Sequence, residues 1–509
     1  MVNKKATELK EQKLGDIDVK LFKKHGYELI DWIAEYLSNI EKYPVLSQVK
    51  PGDIKNNLPK SPPEKGESME KIMEDFNKYI VPGLTHWNHP GYFAYFSCTS
   101  SYPGILAELL TAGINQQGML WRTSPALTEV EEVTLAWLRE LIGLKDDFFG
   151  IIYDTASIST LHAIATAREA LNLKIKEEGM INRKELMPLK LYTSEQTHSS
   201  IEKAAITLGI GQKNVRKVAI DDAFQMDPKA LINCIEEDIK SDCIPFCVVA
   251  TAGTTSTTSI DPIPEIAEIC KKYKLWLHLD AAYLGIAAIV PEMKHMTIGW
   301  NEADSFVVNP HKGLFTPMDL SAFYCKKPEL LKKAFSLVPE YLKTDTGDEA
   351  KNLYDYGIQL GRRFRALKLW FIMRTFGKEG LINRIRETIN LAKTFAKWVE
   401  ESEKFYILAP VTTSLVCFRY LPKDLKEKIE RNENVEAIEE YLNKLNEEIM
   451  NAVNATGKVF ISHTKLHGRF TLRLAIANLR TTERHIKDAW ETLNQLALKI
   501  DKELRSTFI

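Results

Sequence analysis

Residues 262–285 read PIPEIAEICKKYKLWLHLDAAYLG. In the first half of this stretch Ile263, Ile266 and Ile269 recur at helical spacing, which predicts an amphipathic helix with one apolar face. Residues 275–282 are mostly apolar, which is typical of a strand that is buried on both faces. A covering helix followed by a buried strand is the repeating unit of an α/β fold.

Similar segments lie on both sides of this stretch. Short apolar strands are predicted at 150–154, 245–251 and 305–309, and a helix is predicted at 161–171. Near-continuous apolar strands that alternate with amphipathic helices indicate a mostly parallel sheet covered by helices on both faces. The sequence therefore predicts an α/β fold for the large central part of the chain.

The two ends of the chain have different patterns from the centre. Residues 1–85 are helix-like and carry more apolar side chains than one solvated helix needs, so we expect them to pack against another surface. In the C-terminal part, helical and strand-like segments mix, which indicates a small α+β domain. We therefore predict a helical segment at 1–85, a large domain at 86–385 and a small C-terminal domain at 386–509.

The composition argues against several classes of protein. Lys and Arg together number 67 against 68 Asp and Glu in a chain of 509 residues, so no strong positive field favours nucleic-acid binding. No apolar run approaches the roughly 20 residues that cross a bilayer, and the charged N-terminal stretch lacks the apolar core of a signal peptide. The seven cysteines are widely scattered. These features predict free thiols, no membrane partner and a cytoplasmic location.

Two loops at predicted strand ends carry residues suited to covalent chemistry and charge stabilisation. Lys312, in NPHKG (309–313), is either a solvated lysine or an amine that condenses with an aldehyde, which requires a partly desolvated site. Asp280 stands at the end of an apolar strand. It is either a structural cap for the next helix or a carboxylate that keeps a pyridine nitrogen protonated. Ala282, two residues later, leaves room for a flat ring.

Two further loops suit an anionic aromatic ligand. Residues 153–160, YDTASIST, are either an ordinary helix N-cap or a cradle whose backbone N–H groups bind a phosphate. His198, in YTSEQTHSS (192–200), is either a structural histidine or a ring that stacks on a cofactor. Pyridoxal 5′-phosphate (PLP) requires four groups: a phosphate cradle, a stacking imidazole, a carboxylate and a lysine that binds its aldehyde.

Longer motifs carry a family resemblance over most of the chain. They are THWNHPGYFAYF (85–96), QTHSSIEKA (196–204), VATAGTTSTTSIDPI (249–263), WLHLDAAYLG (276–285), ADSFVVNPHKG (303–313), PEYLKT (339–344) and LGRRFRALKLW (360–370). With these motifs the sequence resembles the PLP-dependent group II decarboxylases, most closely the aromatic L-amino-acid decarboxylases. The resemblance implies the aspartate-aminotransferase-type fold, known as fold type I. It also implies a homodimer with swapped N-terminal helices and an active site at the subunit interface.

The resemblance implies roles for individual residues. Lys312 would bind the cofactor aldehyde, Asp280 the ring nitrogen and His198 the ring face, and Tyr341 would protonate the substrate carbon. The other residues expected to contact the cofactor are Ala156, Ser157, Thr255, Ala282, Asn309 and His311. The residues expected to shape the substrate pocket are Trp87, Tyr95, Phe96, Gly313 and Gly361, with Arg473 close to the site.

The implied reaction is decarboxylation of tryptophan, tyrosine, phenylalanine or DOPA to the corresponding amine. Tyr341 favours this reaction, because relatives with phenylalanine at that position tend to be aldehyde synthases. Gly361 and Gly313 together favour tryptophan as the substrate. The alternatives are an aromatic aldehyde synthase, an aminotransferase, or a decarboxylase of a non-aromatic amino acid such as glutamate or histidine. The aromatic residues expected in the pocket argue against glutamate.

Three positions depart from the family pattern. Gly313 stands where animal and plant relatives usually have tryptophan, and we expect its small size to enlarge or reshape the pocket. Asp154 stands where relatives often have glycine, beside the expected phosphate site, where its charge is unfavourable unless it is paired or points away. Ile158 and the next residue replace a common Glu-Ala pair.

Two pairs of histidines have spacings that resemble metal-ligand spacings. His86 and His89 flank an expected pocket tryptophan, and His463 and His467 lie between strand-like segments where helical spacing has no meaning. Neither pair has a third ligand of matching context in the sequence. The sequence therefore predicts no metal site.

Overall fold

The computed structural model of the chain describes residues 16–337 and 350–508, with side chains as far as residue 505. These residues form two compact units, Met1–His86 and Trp87–Ile509. None of the helices in the described ranges is long and apolar enough to cross a membrane. Tyr341, the expected proton donor, lies outside the described residues.

The first unit is helical, as the sequence predicts. Its helices are α1 (Val19–Ser38), α2 (Asp53–Asn57) and α3 (Met69–Asp75). Helix α1 begins after Asp18, whose carboxylate accepts the Lys20 N–H at 2.8 Å and so satisfies one of the unpaired first-turn amides. Several apolar side chains of α1 remain exposed, among them Val19 and Phe22.

The second unit contains a seven-stranded sheet. Its strands are β1 (Phe149–Tyr153), β2 (Leu189–Ser194), β3 (Val215–Val218), β4 (Ile244–Thr251), β5 (Trp276–Asp280), β6 (Ser305–Val308) and β7 (Ser321–Cys325). The spatial order is β1-β7-β6-β5-β4-β2-β3, and only β7 runs antiparallel to its neighbours. The predicted α/β fold with a mostly parallel sheet is confirmed.

Helices precede, connect and follow the strands of this sheet. They are α4 (Tyr102–Ile114), α5 (Pro125–Ile142), α6 (Ala156–Glu169), α7 (Ile175–Glu178), α8 (Ser200–Thr207), α9 (Pro228–Lys240), α10 (Ile263–Tyr273), α11 (Pro310–Gly313) and α12 (Pro328–Phe335). Helix α10 and strand β5 occupy the segment 262–285, and all five residues of β5 are buried. The helix and the strand predicted there are therefore confirmed.

A second, antiparallel sheet lies in the C-terminal part of the same unit. Its strands, in spatial order, are β10 (Ser462–Leu466), β11 (Arg469–Ala475), β9 (Leu415–Tyr420) and β8 (Phe405–Ile407). The helices of this part are α13 (Ala366–Glu400), α14 (Lys423–Glu430), α15 (Val435–Ala455) and α16 (Glu483–Phe508). The expected boundary between 385 and 386 falls inside α13, so the domain limits stay a prediction.

The ends of the parallel strands bring the chemically interesting loops together. In the register of the sheet Thr251 at the end of β4 pairs with Asp280 at the end of β5, and Asp280 pairs with Val307 of β6. Asn309 and Lys312 follow β6 directly. The loops after β4, β5 and β6 therefore share one edge of the sheet, where α/β folds bind their ligands.

Candidate active site

Lys312 lies in the short helix α11, immediately after β6. The Asn309 carbonyl accepts the Lys312 N–H at 3.0 Å, which fixes the backbone at this turn. Burial lowers the pKa of the Lys312 ammonium below its ordinary value of 10.5, although the charge of Asp280 and the Cys98 thiol act in the opposite direction. A lowered pKa makes the neutral amine more available, and the neutral amine is the nucleophile that attacks an aldehyde.

Asp280 is the carboxylate of the site and is only 6% exposed. Its Oδ1 accepts the Ala282 N–H at 3.0 Å, and its backbone carbonyl accepts the Ala252 N–H at 2.9 Å. Its negative charge opposes, without outweighing, the lowering of the pKa of Lys312 and of His198 by burial. A carboxylate this far from solvent is stabilised by nearby cations, and a protonated ring nitrogen would be a suitable one.

His198 follows β2 on the neighbouring loop and has a solvent-exposed face. Its Nδ1 accepts the Ser200 N–H at 3.2 Å and lies 2.9 Å from the Ser200 hydroxyl. Desolvation lowers its pKa and outweighs the opposing charge of Asp280. The ring is therefore a neutral imidazole with its hydrogen on Nε2 near pH 7, which leaves an uncharged flat face for an aromatic ligand.

The turn between β1 and α6 contains the expected phosphate site. Thr155 is the N-cap of α6, and its carbonyl accepts the N–H groups of Ile158 and Ser159, both at 3.1 Å. The N–H groups of Ala156 and Ser157 precede the first intrahelical bonds. They stand at the positive end of a 14-residue helix, which favours an anion.

Asn309 and His311 stand beside the lysine as buried polar residues. Asn309 is 2% exposed, and its Oδ1 has no hydrogen-bond partner among the described residues. The Nδ1 of His311 accepts the Leu320 N–H at 3.0 Å, and burial lowers the pKa of this imidazole to about 4. A buried polar atom without a partner is costly unless a ligand supplies one, so this pair fits a polar ligand group.

Phe96 connects the lysine to strand β11 of the antiparallel sheet. Its ring stacks on Tyr283 with centroids 3.7 Å apart, and the Lys312 Nζ lies 5.5 Å from its centroid. The Arg473 guanidinium, on β11, lies 5.3 Å from the same centroid. The ring thus contacts Tyr283, the Lys312 amine and the Arg473 guanidinium, which together fix its position.

Arg473 also holds the loop after β4. It donates hydrogen bonds to the carbonyls of Thr255 and Ser256 at 2.7 and 2.9 Å, and to the Ser462 hydroxyl at 2.9 Å. The same Ser462 hydroxyl accepts the Tyr95 N–H at 3.1 Å. The expected pocket residue Tyr95 and the expected cofactor contact Thr255 are therefore linked through one arginine.

Tyr95 and its neighbour Trp87 present aromatic surface. Tyr95 has a positive φ of 50°, is mostly exposed, and its ring lies nearly parallel to that of Trp87 with centroids 6.5 Å apart. The expected aromatic pocket residues of this chain are therefore close in space as well as in sequence. Their exposed faces are available to a ligand or to another protein surface.

Gly313 packs closely against Ile286, and its expected effect on the pocket stays a prediction. A Cβ at this position would lie 3.1 Å from the Cβ of Ile286, so the Ile286 side chain fills the space that a larger residue would enter. Gly361, by contrast, is exposed, and no atom lies within 4 Å of the place its Cβ would take. No contact among the described residues joins Gly361 to Lys312.

The structure adds residues that the sequence reasoning missed. Tyr283 supports Phe96, and Cys98 lies close enough to Lys312 to influence its pKa. Tyr283 belongs to the same strand-end motif as Asp280, and an aromatic residue there was a usable signal. Cys98 has no signal in the sequence, because its position depends on how the segment after Phe96 folds.

Comparison with known proteins identifies the family. Residues 51–421 match the family described as the pyridoxal-dependent decarboxylase conserved domain, and the chain belongs to this family of PLP-dependent carboxy-lyases. The predicted family, PLP as the cofactor and fold type I are thereby confirmed.

Three similar proteins illustrate the range of the relatives. The chain is 40% identical to tyrosine decarboxylase 2 of Arabidopsis thaliana over 505 residues, which cover 96% of this chain and 89% of the relative. It is 39% identical to phenylacetaldehyde synthase of a Rosa hybrid cultivar, with 95% of each chain covered. The crystal structure of Catharanthus roseus tryptophan decarboxylase in complex with L-tryptophan superimposes with a TM-score of 0.87 at 33% identity, over 96% of this chain and 100% of that one.

Proposed function

We propose that the chain decarboxylates an aromatic L-amino acid to the corresponding amine and CO2. The observation that carries this proposal is the position of Phe96, stacked on Tyr283 and 5.5 Å from the Lys312 Nζ. An aromatic substrate side chain would meet an aromatic surface beside the amine that holds the cofactor. Relatives named as tyrosine and tryptophan decarboxylases, each at least 38% identical, support the same substrate class.

The residues of the site fit the cofactor group by group. Lys312 would hold the aldehyde, since burial favours its neutral amine, and Asp280 would keep a proton on the ring nitrogen. His198 would lie against the ring face as a neutral imidazole. When bound, PLP supplies an aldehyde that takes an amine and a cationic ring that accepts electrons from a bond to the substrate carbon.

The phosphate would lie at the N-terminus of α6. The N–H groups of Ala156 and Ser157, which precede the first intrahelical bonds, would donate to it, and the side-chain N–H2 of Asn309 and the Nε2–H of His311 are further candidate donors. Thr255, in the loop after β4, and Ala282, in the loop after β5, would lie at the cofactor ring. Ala282 is held by the Asp280 carboxylate and Thr255 by Arg473, so both positions are fixed before any ligand binds.

The second candidate function is that of an aromatic aldehyde synthase. The similarity to phenylacetaldehyde synthase favours it, whereas Tyr341 favours simple decarboxylation. Within the aromatic class we propose tryptophan as the preferred substrate, on the basis of Gly361, whose surroundings are open, and Gly313. A decarboxylase of a non-aromatic amino acid is the further alternative that the assay below distinguishes.

We further propose that the protein is a cytoplasmic homodimer with the active site at the subunit interface. Helix α4 carries a row of apolar residues that are each about half exposed: Tyr102, Leu106, Leu109, Leu110 and Ile114. Such a continuous apolar face is unusual on a monomer and fits a second copy of the chain. All seven cysteines are free thiols, which agrees with a reducing compartment.

One assay tests the proposed reaction. The purified protein is incubated with PLP and, separately, with tryptophan, tyrosine, phenylalanine, DOPA, histidine and glutamate, and CO2, amine, ammonia and hydrogen peroxide are measured. We expect amine and CO2 in equal amounts from an aromatic substrate, with tryptophan the fastest. Aldehyde with equimolar peroxide and ammonia would identify an aldehyde synthase, and turnover of glutamate or histidine alone would contradict the aromatic assignment.

A further inference from the structure

Asp154 lies next to the turn assigned to the cofactor phosphate, yet its carboxylate is occupied by other groups. Its Oδ1 accepts the N–H of Thr155 at 2.5 Å and the hydroxyl of Thr155 at 3.0 Å. Its Oδ2 accepts the side-chain amide of Gln359 at 3.1 Å. The carboxylate therefore holds the N-cap residue of α6 on one side and a distant segment of the chain on the other.

Two further hydrogen bonds join the same two parts of the chain. The Tyr153 hydroxyl donates to the Tyr356 carbonyl, and the Nε2 of His162 accepts the Ile358 N–H at 3.1 Å. Together with the bond from Gln359 they attach three residues of the segment 356–359 to β1 and α6. We call this set of three hydrogen bonds the brace.

His162 can serve in the brace only as a neutral imidazole. Its Nδ1 donates to the Ile158 carbonyl at 2.7 Å, so Nε2 is free to accept, and burial lowers the pKa of the ring to about 4. The nearby charge of Asp154 acts in the opposite direction on this pKa but does not outweigh burial. The ring also stacks on Tyr153, with centroids 4.2 Å apart and an interplanar angle of 15°.

Glycine at position 357 permits this close approach. A Cβ on Gly357 would lie 2.9 Å from the His162 Nε2 and 3.1 Å from the Tyr153 ring. A few residues later Arg362 continues the attachment, because its guanidinium donates to the Ile152 carbonyl at 2.9 Å and forms an ion pair with Glu131 at 2.6 Å. The segment 356–362 is thus attached along the end of β1.

We propose that Asp154, His162 and Gln359 are positioning residues for the cofactor phosphate. Backbone N–H groups bind an anion well only if their directions are fixed beforehand, since any ordering on binding reduces affinity. The brace fixes Thr155, from which α6 and its free amides begin. This inference rests on the proposed assignment of the turn at Ala156 and Ser157 to the phosphate.

Two opposite effects of Asp154 can be separated by substitution. Its negative charge disfavours a phosphate dianion, whereas its hydrogen bonds order the phosphate-binding turn. Asp154→Asn removes the charge but keeps an acceptor for Thr155, and a rotated Gln359 amide can pair with the new side chain. Asp154→Ala removes both the charge and the hydrogen bonds.

Affinity for PLP and for inorganic phosphate tests the proposal on the full-length apoprotein. We expect Asp154→Ala and Gln359→Ala each to raise the Kd of both ligands about tenfold, the loss typical of a hydrogen bond to a charged group. The double variant of Asp154→Ala and Gln359→Ala should bind both ligands no more weakly than either single variant does. Asp154→Asn should bind both ligands at least as tightly as the wild type.

A matched control removes another amide–carboxylate pair. Gln212 donates to Glu202 at 3.3 Å on the surface of the same unit, and Gln212→Ala should leave both Kd values unchanged. Three results would each overturn the proposal. The first is an unchanged Kd in Asp154→Ala and Gln359→Ala, and the second is additive losses of affinity in the double variant. The third is a loss of affinity in Asp154→Asn as large as that in Asp154→Ala.

Hydrogen–deuterium exchange separates this inference from the phosphate assignment beneath it. In the wild type, inorganic phosphate should slow exchange in peptides covering 155–158 and also in those covering 356–359. In Gln359→Ala, inorganic phosphate should slow exchange only in the peptides covering 155–158. No protection at 155–158 in the wild type would refute the assignment of the phosphate, whereas protection there without any at 356–359 would refute the brace alone.

Discussion

At the scale of single residues, the chemistry of Lys312 depends on a competition between burial and charge. Burial favours the neutral amine, whereas Asp280 and Cys98 favour the ammonium ion, and burial prevails because the pKa lies below 10.5. The same balance leaves His198 neutral. The site therefore combines a buried lysine with a lowered pKa, a neutral imidazole and a buried carboxylate, which suits a ligand that brings its own cationic nitrogen.

Lys312→Ala should abolish covalent attachment of the cofactor. We expect the purified variant to lack the visible absorbance of lysine-bound PLP and to incorporate no label after borohydride reduction, because the amine that bonds the aldehyde is gone. Lys213→Ala, an exposed lysine in the same unit, should behave as wild type. Recovery of the reduced cofactor on any other lysine by peptide mapping would refute the assignment.

Asp280→Asn should keep the local fold and lose catalysis. The new amide oxygen can still accept the Ala282 N–H, but the charge that holds a proton on the ring nitrogen is absent. We expect kcat at saturating PLP to fall by about 100-fold or more. Asp147→Asn at an exposed acid is the control. A variant of Asp280 with near-normal kcat would show that this carboxylate has no part in the reaction.

Tyr341→Phe should change the product and not only the rate. The resemblance to the family implies that this hydroxyl protonates the substrate carbon, and without it we expect the reaction to divert from amine to aldehyde. The ratio of amine to hydrogen peroxide, measured with the same substrate before and after substitution, gives the result. An unchanged yield of amine would remove Tyr341 from the mechanism.

At the scale of elements, the loop between β4 and α10 connects the two sheets. Arg473 of β11 binds its carbonyls, and the Ala252 N–H at its start binds the Asp280 carbonyl. Gly253 has a φ of +97°, and a Cβ there would lie 2.4 Å from the Cβ of Leu284. The loop therefore passes so close to the segment after β5 that only glycine fits.

Gly253→Ala should lower the free energy of unfolding by about 3 kcal/mol or more, because left-handed strain and overpacking act together. Gly211→Ala is the matched control, since Gly211 has a φ of +85° but no atom within 4 Å of its Cβ position. Strain alone should cost this variant about 1–2 kcal/mol. Urea unfolding followed by circular dichroism measures both, and equal losses would contradict the close contact with Leu284.

At the scale of the whole molecule, the exposed apolar row on α4 is the feature that a single chain does not explain. If the proposed dimer forms through this row, Leu106→Glu combined with Leu109→Glu should shift it to the monomer, because two charges cannot be buried in an apolar contact. Ile298→Glu, at another exposed apolar residue, should leave the dimer intact. Light scattering after size-exclusion chromatography gives the mass, and an unchanged dimer would exclude α4 from the interface.

The sequence by itself determined the fold class and the family, and it predicted the residues to which chemical roles are proposed. Lys312 and Asp280 could be found because each directly follows or ends an apolar strand, and strand periodicity is a local property. The motifs around them then identified the cofactor. The same local signal placed α10 and β5 almost to the residue.

Only the tertiary structure decided what fills the space around those residues. Ile286 packs against Gly313, Gln359 pairs the carboxylate of Asp154, and Arg473 reaches Phe96 from the other sheet. These partners lie between 27 and 377 residues apart in the chain. Packing between such distant segments depends on how the elements are arranged in space, and no local pattern of residues encodes it.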